Sequence, residues 1–336
     1  MALFANSADF ATMAPLLETA DWNKVLPSID LVERQYLRNQ VLGHTLYTTL
    51  HTAYQGSLAV GGPALSSDML ALLSACRPVV AALGTHKAMS KLSVMFTASG
   101  PMVSKTDTMA PPAMWQSRQA QATILEEGLG YLDQLIDFLL GSGSTYQWQT
   151  SPFAVTVRKC IVRTVEHIQE HHVNIGNSAW TLHMMRPAML IQQDRLRGVL
   201  SDDAFGDLML HIDDTPITGA NAEILGPARA AVIHLALAEL AVTNSITINP
   251  DGAWMWQAAS SAGTSGGPGA ATNHRLDQVA RSYRQAGEEQ LKAVESIAKR
   301  LAAAGQYPLY AASPQNAQPF VRGSTTADGS SSFSTF

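Results

Sequence analysis

The residues best suited to chemistry sit in one short run, Glu166-His167-Ile168-Gln169-Glu170-His171-His172. His167 and His171 are four apart, and on a helix they would share a face, the spacing by which two imidazoles hold zinc. The rest of that motif is missing. Ile168 follows His167 where the general-base glutamate would stand, and no third ligand is evident. A helical metalloenzyme using His167 and His171 is one reading, and a solvated His/Glu helix face is the plainer one. Asp202-Asp203 and Asp213-Asp214 lack the alternating oxygens of a calcium loop and read as caps or turns. There is no Walker loop and no dinucleotide-binding glycine fingerprint. Gly141-Ser142-Gly143 and the run 263–269 read as linkers. Cys76 and Cys160 are too few for a disulfide framework or a zinc knuckle and read as buried small hydrophobes. No catalytic residue, cofactor or metal ligand is assigned on this basis.

A second group of residues suits contact rather than catalysis. Met102, Trp254, Met255 and Trp256 fall on the outgoing strands of two expected hairpins, where one of each adjacent pair faces away from its own sheet. Exposed Trp and Met mark contact hot spots, with packing back on the helices as the alternative. Tyr307, Tyr310, Phe320, Phe333 and Phe336 are widely spaced apolar anchors in a segment poor in charge, 306–336. That composition suits an extended arm that orders on a partner, or else a frayed tail.

The elements that would position these residues are mostly helical. Apolar residues recur at three- and four-residue steps from Ile29 to Tyr54, opened by a Pro27-Ser28-Ile29-Asp30 cap and closed by Gly61-Gly62-Pro63. A second helix begins after Ser66-Ser67-Asp68 and carries Leu72, Leu73, Cys76, Val79, Val80 and Leu83. A β-hairpin is expected near 92–103, then a helix over 113–140. A shift of 152 positions lays 73–103 on 225–255, putting Arg77 on Arg229 and Leu83 on Leu235. The second hairpin, near 244–256, turns on Asn249-Pro250-Asp251-Gly252. A shift of 162 puts Glu126-Glu127 on Glu288-Glu289, and one of 159 puts Leu31 and Leu37 on Leu190 and Leu196. The expected fold is mainly α, a tandem duplication of a helix–helix–β-hairpin–helix unit with an extended C-terminal arm. Its parts are 1–150, 151–305 and 306–336.

Composition narrows the class. Of 336 residues, 46% are apolar and only 15% charged, against the ~25% charge of ordinary soluble chains. Disorder is excluded by that balance, and 22 basic against 27 acidic residues without a basic cluster argue against phosphate reading. The most apolar run, 229–243, carries Arg229, His234 and Glu239 and falls short of the ~18–20 residues of a span. The opening decapeptide lacks a basic and apolar leader, so the chain is expected to be cytosolic when made. The stretches 39–67, 138–157, 252–274 and 301–321 contain no Asp, Glu, Lys or Arg. Such neutrality is what a subunit covered by neighbours would need.

Leu3-Phe4, Asp21-Trp22, Leu26-Pro27-Ser28-Ile29, Val32-Glu33, Tyr36-Leu37, Leu42-Gly43 and Leu46-Tyr47 with Leu50 resemble a family of virion proteins of tailed bacteriophages and prophages, placed among head–tail connector or adaptor components. The motif-like part covers about residues 3–56, and no catalytic residue comes with it. The resemblance implies a structural role: a homo-oligomeric ring below the portal, bound to portal and tail or neck proteins and assembled in the host cytoplasm. It implies no membrane and no sequence-read nucleic acid, with DNA passing through the ring. A tail-completion or minor head protein is the nearest alternative. A two-domain scaffold binding a host protein through Trp254 and Trp256 is a further one.

Overall fold

The computed structural model describes residues 3–14, 22–92, 95–97, 100–102, 114–142, 145–171, 173, 175, 178–212, 217–242, 246–249, 252–255 and 270–317. The fold is mainly helical. Two compact units divide the chain, Met1–Lys159 with Ile175–Arg186, and Cys160–Asn174 with Pro187–Phe336. The division therefore differs from the expected break near residue 150. A piece of later sequence belongs to the first unit, and the described residues beyond 305 belong to the second.

The first unit opens on α1 (Ser7–Ala11), capped by the Asn6 side chain, which accepts the Asp9 amide at 2.9 Å. Next come α2 (Trp22–Val32), a π-helical stretch Glu33–Val41, and α3 (Gly43–Leu58). The expected cap at Pro27-Ser28 is not a start: Pro27 lies inside α2, and Ser28 is buried. Packing of Val25, Ile29 and Val32 toward α4 offsets the backbone bond that proline removes. Nor is 29–54 one regular helix. The Leu42 amide donates to the Leu37 carbonyl, five residues back, and Gly43 breaks the line at φ +78° with Ser151 and Pro152 against it. A side chain there would need a left-handed backbone, which only glycine adopts cheaply.

α4 (Ser67–Leu92) starts where the Ser66 hydroxyl accepts the Met69 amide at 3.3 Å, and buries Leu72, Cys76, Val79, Val80 and Leu83. Two short strands follow, β1 (Met95–Thr97) and β2 (Gly100–Met102), paired antiparallel with Met95 opposite Met102. α5 (Met114–Ser142) then packs on α4. A 3-10 turn, Trp148–Thr150, leads into α6 (Pro152–Lys159). The Trp148 indole donates to the Val41 carbonyl at 2.7 Å, satisfying the end of the π-helical stretch.

The second unit begins with α7 (Glu166–Gln169). α8 (Ala179–Leu200) gives its first turns to unit 1, where Asp133 of α5 accepts the Trp180 amide at 2.7 Å, and the rest to unit 2. α9 (Asp202–Leu210) is capped by Ser201, with Asp202 and Asp203 in its first turn. α10 (Gly219–Val242) is followed by β3 (Ile246–Asn249) and β4 (Gly252–Met255), paired antiparallel with Thr247 opposite Trp254. α11 (Ala270–Ala303) packs on α10, and α12 (Pro308–Ala311) and α13 (Pro314–Ala317) follow it. Ser67–Met89 and Gly219–Val242 have the length and hydropathy of a membrane span. Half of the first window and 72% of the second are buried inside the chain, as core helices are.

The α4–α5 and α10–α11 pairs come together at a glycine. A Cβ on Gly128 would lie 2.5 Å from Leu83 Cδ2 and 3.3 Å from the Leu83 nitrogen. On Gly287 it would lie 2.6 Å from Leu235 Cγ and 3.1 Å from the Leu235 nitrogen. Leu83 and Leu235 are 1% and 2% exposed, so neither can swing away. Gly128→Val and Gly287→Val should each lower urea-unfolding stability by ~1–3 kcal/mol through overpacking. Gly130→Ala, with nothing within 4 Å, should be neutral or stabilising by up to ~1 kcal/mol.

Candidate functional site

The most organised polar chemistry is a clamp on one residue of main chain, and it occurs in both units. In unit 1 the held residue is Leu3. Its amide donates to Glu33 Oε1 at 2.7 Å, and its carbonyl accepts from Arg77 Nε at 3.0 Å. Glu33 opens the π-helical stretch, and Arg77 stands on α4. In unit 2 the held residue is Ile161. Its amide donates to Gln193 Oε1 at 2.6 Å, and its carbonyl accepts from Arg229 Nε at 3.2 Å. Gln193 lies on α8 and Arg229 on α10. Leu3 and Ile161 are both fully buried, so the polar bonds hold an apolar plug.

Local structure behind each plug also corresponds. The Ala5 amide donates to Asp9 Oδ2 at 3.0 Å, and four residues apart again, the Arg163 amide donates to His167 Nδ1 at 3.3 Å. Phe10 and Ile168, one residue further on, are buried. In unit 1 Asp9 also receives both terminal nitrogens of Arg77, at 3.3 and 3.0 Å. The Tyr54 hydroxyl donates to Asp9 Oδ2 at 3.2 Å and accepts from Arg77 Nη2 at 2.8 Å. The Arg77 guanidinium further lies 5.3 Å from the Phe4 ring centre and 5.1 Å from that of Tyr54. A planar fork with five donors suits such a many-partner role.

Electrostatics separate the two clamps. Glu33 is 1% exposed and its second oxygen accepts from the Tyr47 hydroxyl at 2.7 Å. Burial raises its carboxyl to about 7, against the lowering effect of the Leu3 and Tyr47 hydrogen bonds. Burial also raises Tyr47, with the Glu33 charge adding to it. In unit 2 Gln193 carries no charge. There burial, then the Arg229 charge, lowers His167 to about 4.

The histidine run has a structural use in this geometry. α7 is only Glu166–Gln169, and His171 lies in the turn beyond it, so the two imidazoles do not share a regular helix face. His167 Nδ1 is already an acceptor for main chain, and the described residues contain no group of three or more His, Cys, Asp or Glu placed to hold a metal. Cys76 and Cys160 are buried. Tyr307 and Tyr310, expected on an outstretched arm, are instead packed inside unit 2. They are 3% and 0% exposed, and the Tyr307 hydroxyl donates to the Ala204 carbonyl at 3.1 Å. Their rings stack at 6.0 Å on α12, which packs against α11 and α9. Apolar surface this close to a helical core is buried at once rather than kept for a partner. The side chains of Met102, Trp254 and Met255, and all of Trp256, Phe320, Phe333 and Phe336, lie outside the described residues. Sequence reasoning missed the clamp itself. Its signals were present in Val32-Glu33 and in the alignment of Arg77 with Arg229.

Arg77→Met and Arg229→Met should each cost ~2–4 kcal/mol, because a buried carbonyl and its neighbours lose their donor. Hydrogen exchange at the Leu3 and Ile161 amides should accelerate in the unit that carries the change. His167 adds a pH dependence of definite sign. Its folded value is below the ordinary 6.5, so its contribution is complete above 6.5 and is lost as pH falls toward 4. His167→Asn should flatten that window when urea midpoints are compared at pH 7 and pH 4.5.

No curated protein and no solved structure matches the chain. A family model does match it in two segments, residues 39–156 and 196–319, which between them hold Arg77 and Arg229 and cover most of the sequence. The chain thus belongs to the family described as a family of unknown function, DUF6712.

Proposed function

We propose that the chain is a structural virion protein, a ring-forming head–tail connector or adaptor subunit that joins portal to tail and catalyses nothing. The observation that carries this reading is the use made of the residues that resemble connector components. Leu3, Glu33 and Tyr47 are the clamp, Leu42-Gly43 makes the break before α3, and Phe4, Ile29, Val32, Tyr36, Leu37, Leu46 and Leu50 are buried. A motif made mostly of latch and core residues suits architecture rather than turnover.

The same reading includes an internal duplication, supported by the recurrence of the clamp and by the two segments of the family match. The Gly128–Leu83 and Gly287–Leu235 approaches favour an offset of 159 for the last helix in place of 162. With that offset, buried Leu132, Leu135 and Leu139 fall on buried Leu291, Val294 and Ala298. The π-helical stretch has its own place in the alignment. Pairing Glu33 with Gln193 takes an offset of 160, in place of the 159 that lays Leu31 on Leu190, while Leu37 stays on Leu196. Glu33 to Leu37 is then one residue longer than Gln193 to Leu196, and a π turn is how a helix absorbs one inserted residue.

Negative-stain imaging of the purified chain, alone and with particles, should show rings. A chain that stays monomeric and binds neither portal nor tail components would overturn the reading.

A further inference from the structure

We propose that Glu33 is a proton-operated latch for the opening segment, residues 3–14, and that unit 2 holds its corresponding segment with a latch that does not ionise in the same way. Leu3 is fully buried and Phe4 and Phe10 are 3% and 2% exposed, so the segment is docked by apolar side chains along its length. Its first described amide ends on a carboxyl that is itself 1% exposed. Both bonds to that carboxyl come from neutral donors, the Leu3 amide and the Tyr47 hydroxyl. Arg77 is engaged by the Leu3 carbonyl, Asp9 and Tyr54.

A buried carboxylate bonded, among the described residues, to neutral donors is costly, whereas the protonated acid is isosteric with an amide and keeps the same acceptor oxygen. Unit 2 supplies that amide, because Gln193 receives the Ile161 amide in the position that Glu33 takes for Leu3. One chain therefore carries the ionisable and the neutral form of one latch.

The surroundings fix the sign. Asp30 on α2 raises the Glu33 value, and the chain's amino group lowers it. Tyr47 on α3 is bonded to it, and Cys76 on α4 is coupled to it. Burial outweighs the rest and brings the docked carboxyl to about 7. Undocking residues 3–14 opens that site to water and returns the group toward its ordinary value of 4.5. Docking is thus fully favoured below 4.5, weakens as pH rises, and is weakest above 7. In unit 2 the shifted groups of the held segment are Glu166 and His167, both lowered, and their effect runs in the opposite direction.

The test is hydrogen exchange on the full chain at pH 5 and pH 8, with labelling times scaled for the intrinsic rate. Protection of residues 3–14 should fall roughly tenfold or more from pH 5 to pH 8, because each pH unit between the docked and undocked values of the carboxyl is a factor of ten in the docking equilibrium. Glu33→Gln should keep the segment protected at both values, and Gln193→Glu should transfer the same loss to residues 160–170. Equal protection of residues 3–14 at the two pH values in the wild type would overturn the proposal. So would a Glu33→Gln protein with the wild-type pH dependence. If Glu33→Gln does not fold, Gln193→Glu decides alone: loss of protection in unit 2 at pH 8 supports the latch, and no change refutes it.

Discussion

Two hydrogen bonds to a single residue of main chain carry much of the architecture in each unit. A residue in an irregular segment has an amide and a carbonyl that no helix or strand will satisfy, and if its side chain is to be a core plug, both must be paired inside the protein. The chain meets this by aiming one acceptor and one arginine at Leu3, and again at Ile161. Once those bonds exist, helices distant in sequence are tied to the segment that crosses them. The Asp9 and His167 turns, the Tyr54 and Phe4 contacts and the buried Phe10 and Ile168 all follow from where the held residue lies.

The two clamps are alike in geometry and different in charge, which separates what is structural from what is adjustable. Arg77 and Arg229 keep the same role because only a rigid fork donates sideways from its Nε and forward from its terminal nitrogens. The acceptor is Glu33 in one clamp and Gln193 in the other, and an amide and a protonated acid present the same oxygen. The supporting turn varies between Asp9 and His167 for a similar reason: each offers an acceptor to an amide four residues earlier. Structural chemistry of this kind also gives His167 a use, as the acceptor for the Arg163 amide.

Parts of this were legible along the chain. The helical periodicity from Leu72 to Leu83, the Ser66 cap and the alignment of Arg77 with Arg229 need only local pattern, because the core-facing stripe of a helix repeats every three to four residues. Other parts were not. Pro27 reads as a helix start because its ring removes a bond, yet α2 carries it inside, compensated by packing that no local window contains. Tyr307 and Tyr310 look like anchors for a partner because they are widely spaced apolar residues in a segment poor in charge. Their burial depends on α9 and α11, which are far off in sequence or face them only after folding.

By itself, the sequence determined that the chain is mainly helical and that its two cysteines are apolar filler. These are properties of composition and period, which survive without knowledge of neighbours. Only the tertiary structure decided that Glu33 is buried against Leu3, that His167 serves an amide, and that one glycine in each long helix pair admits a leucine from the other helix. Each of those depends on residues brought together across tens of positions, and it is that approach that desolvates a carboxyl, occupies an imidazole or leaves no room for a methyl group.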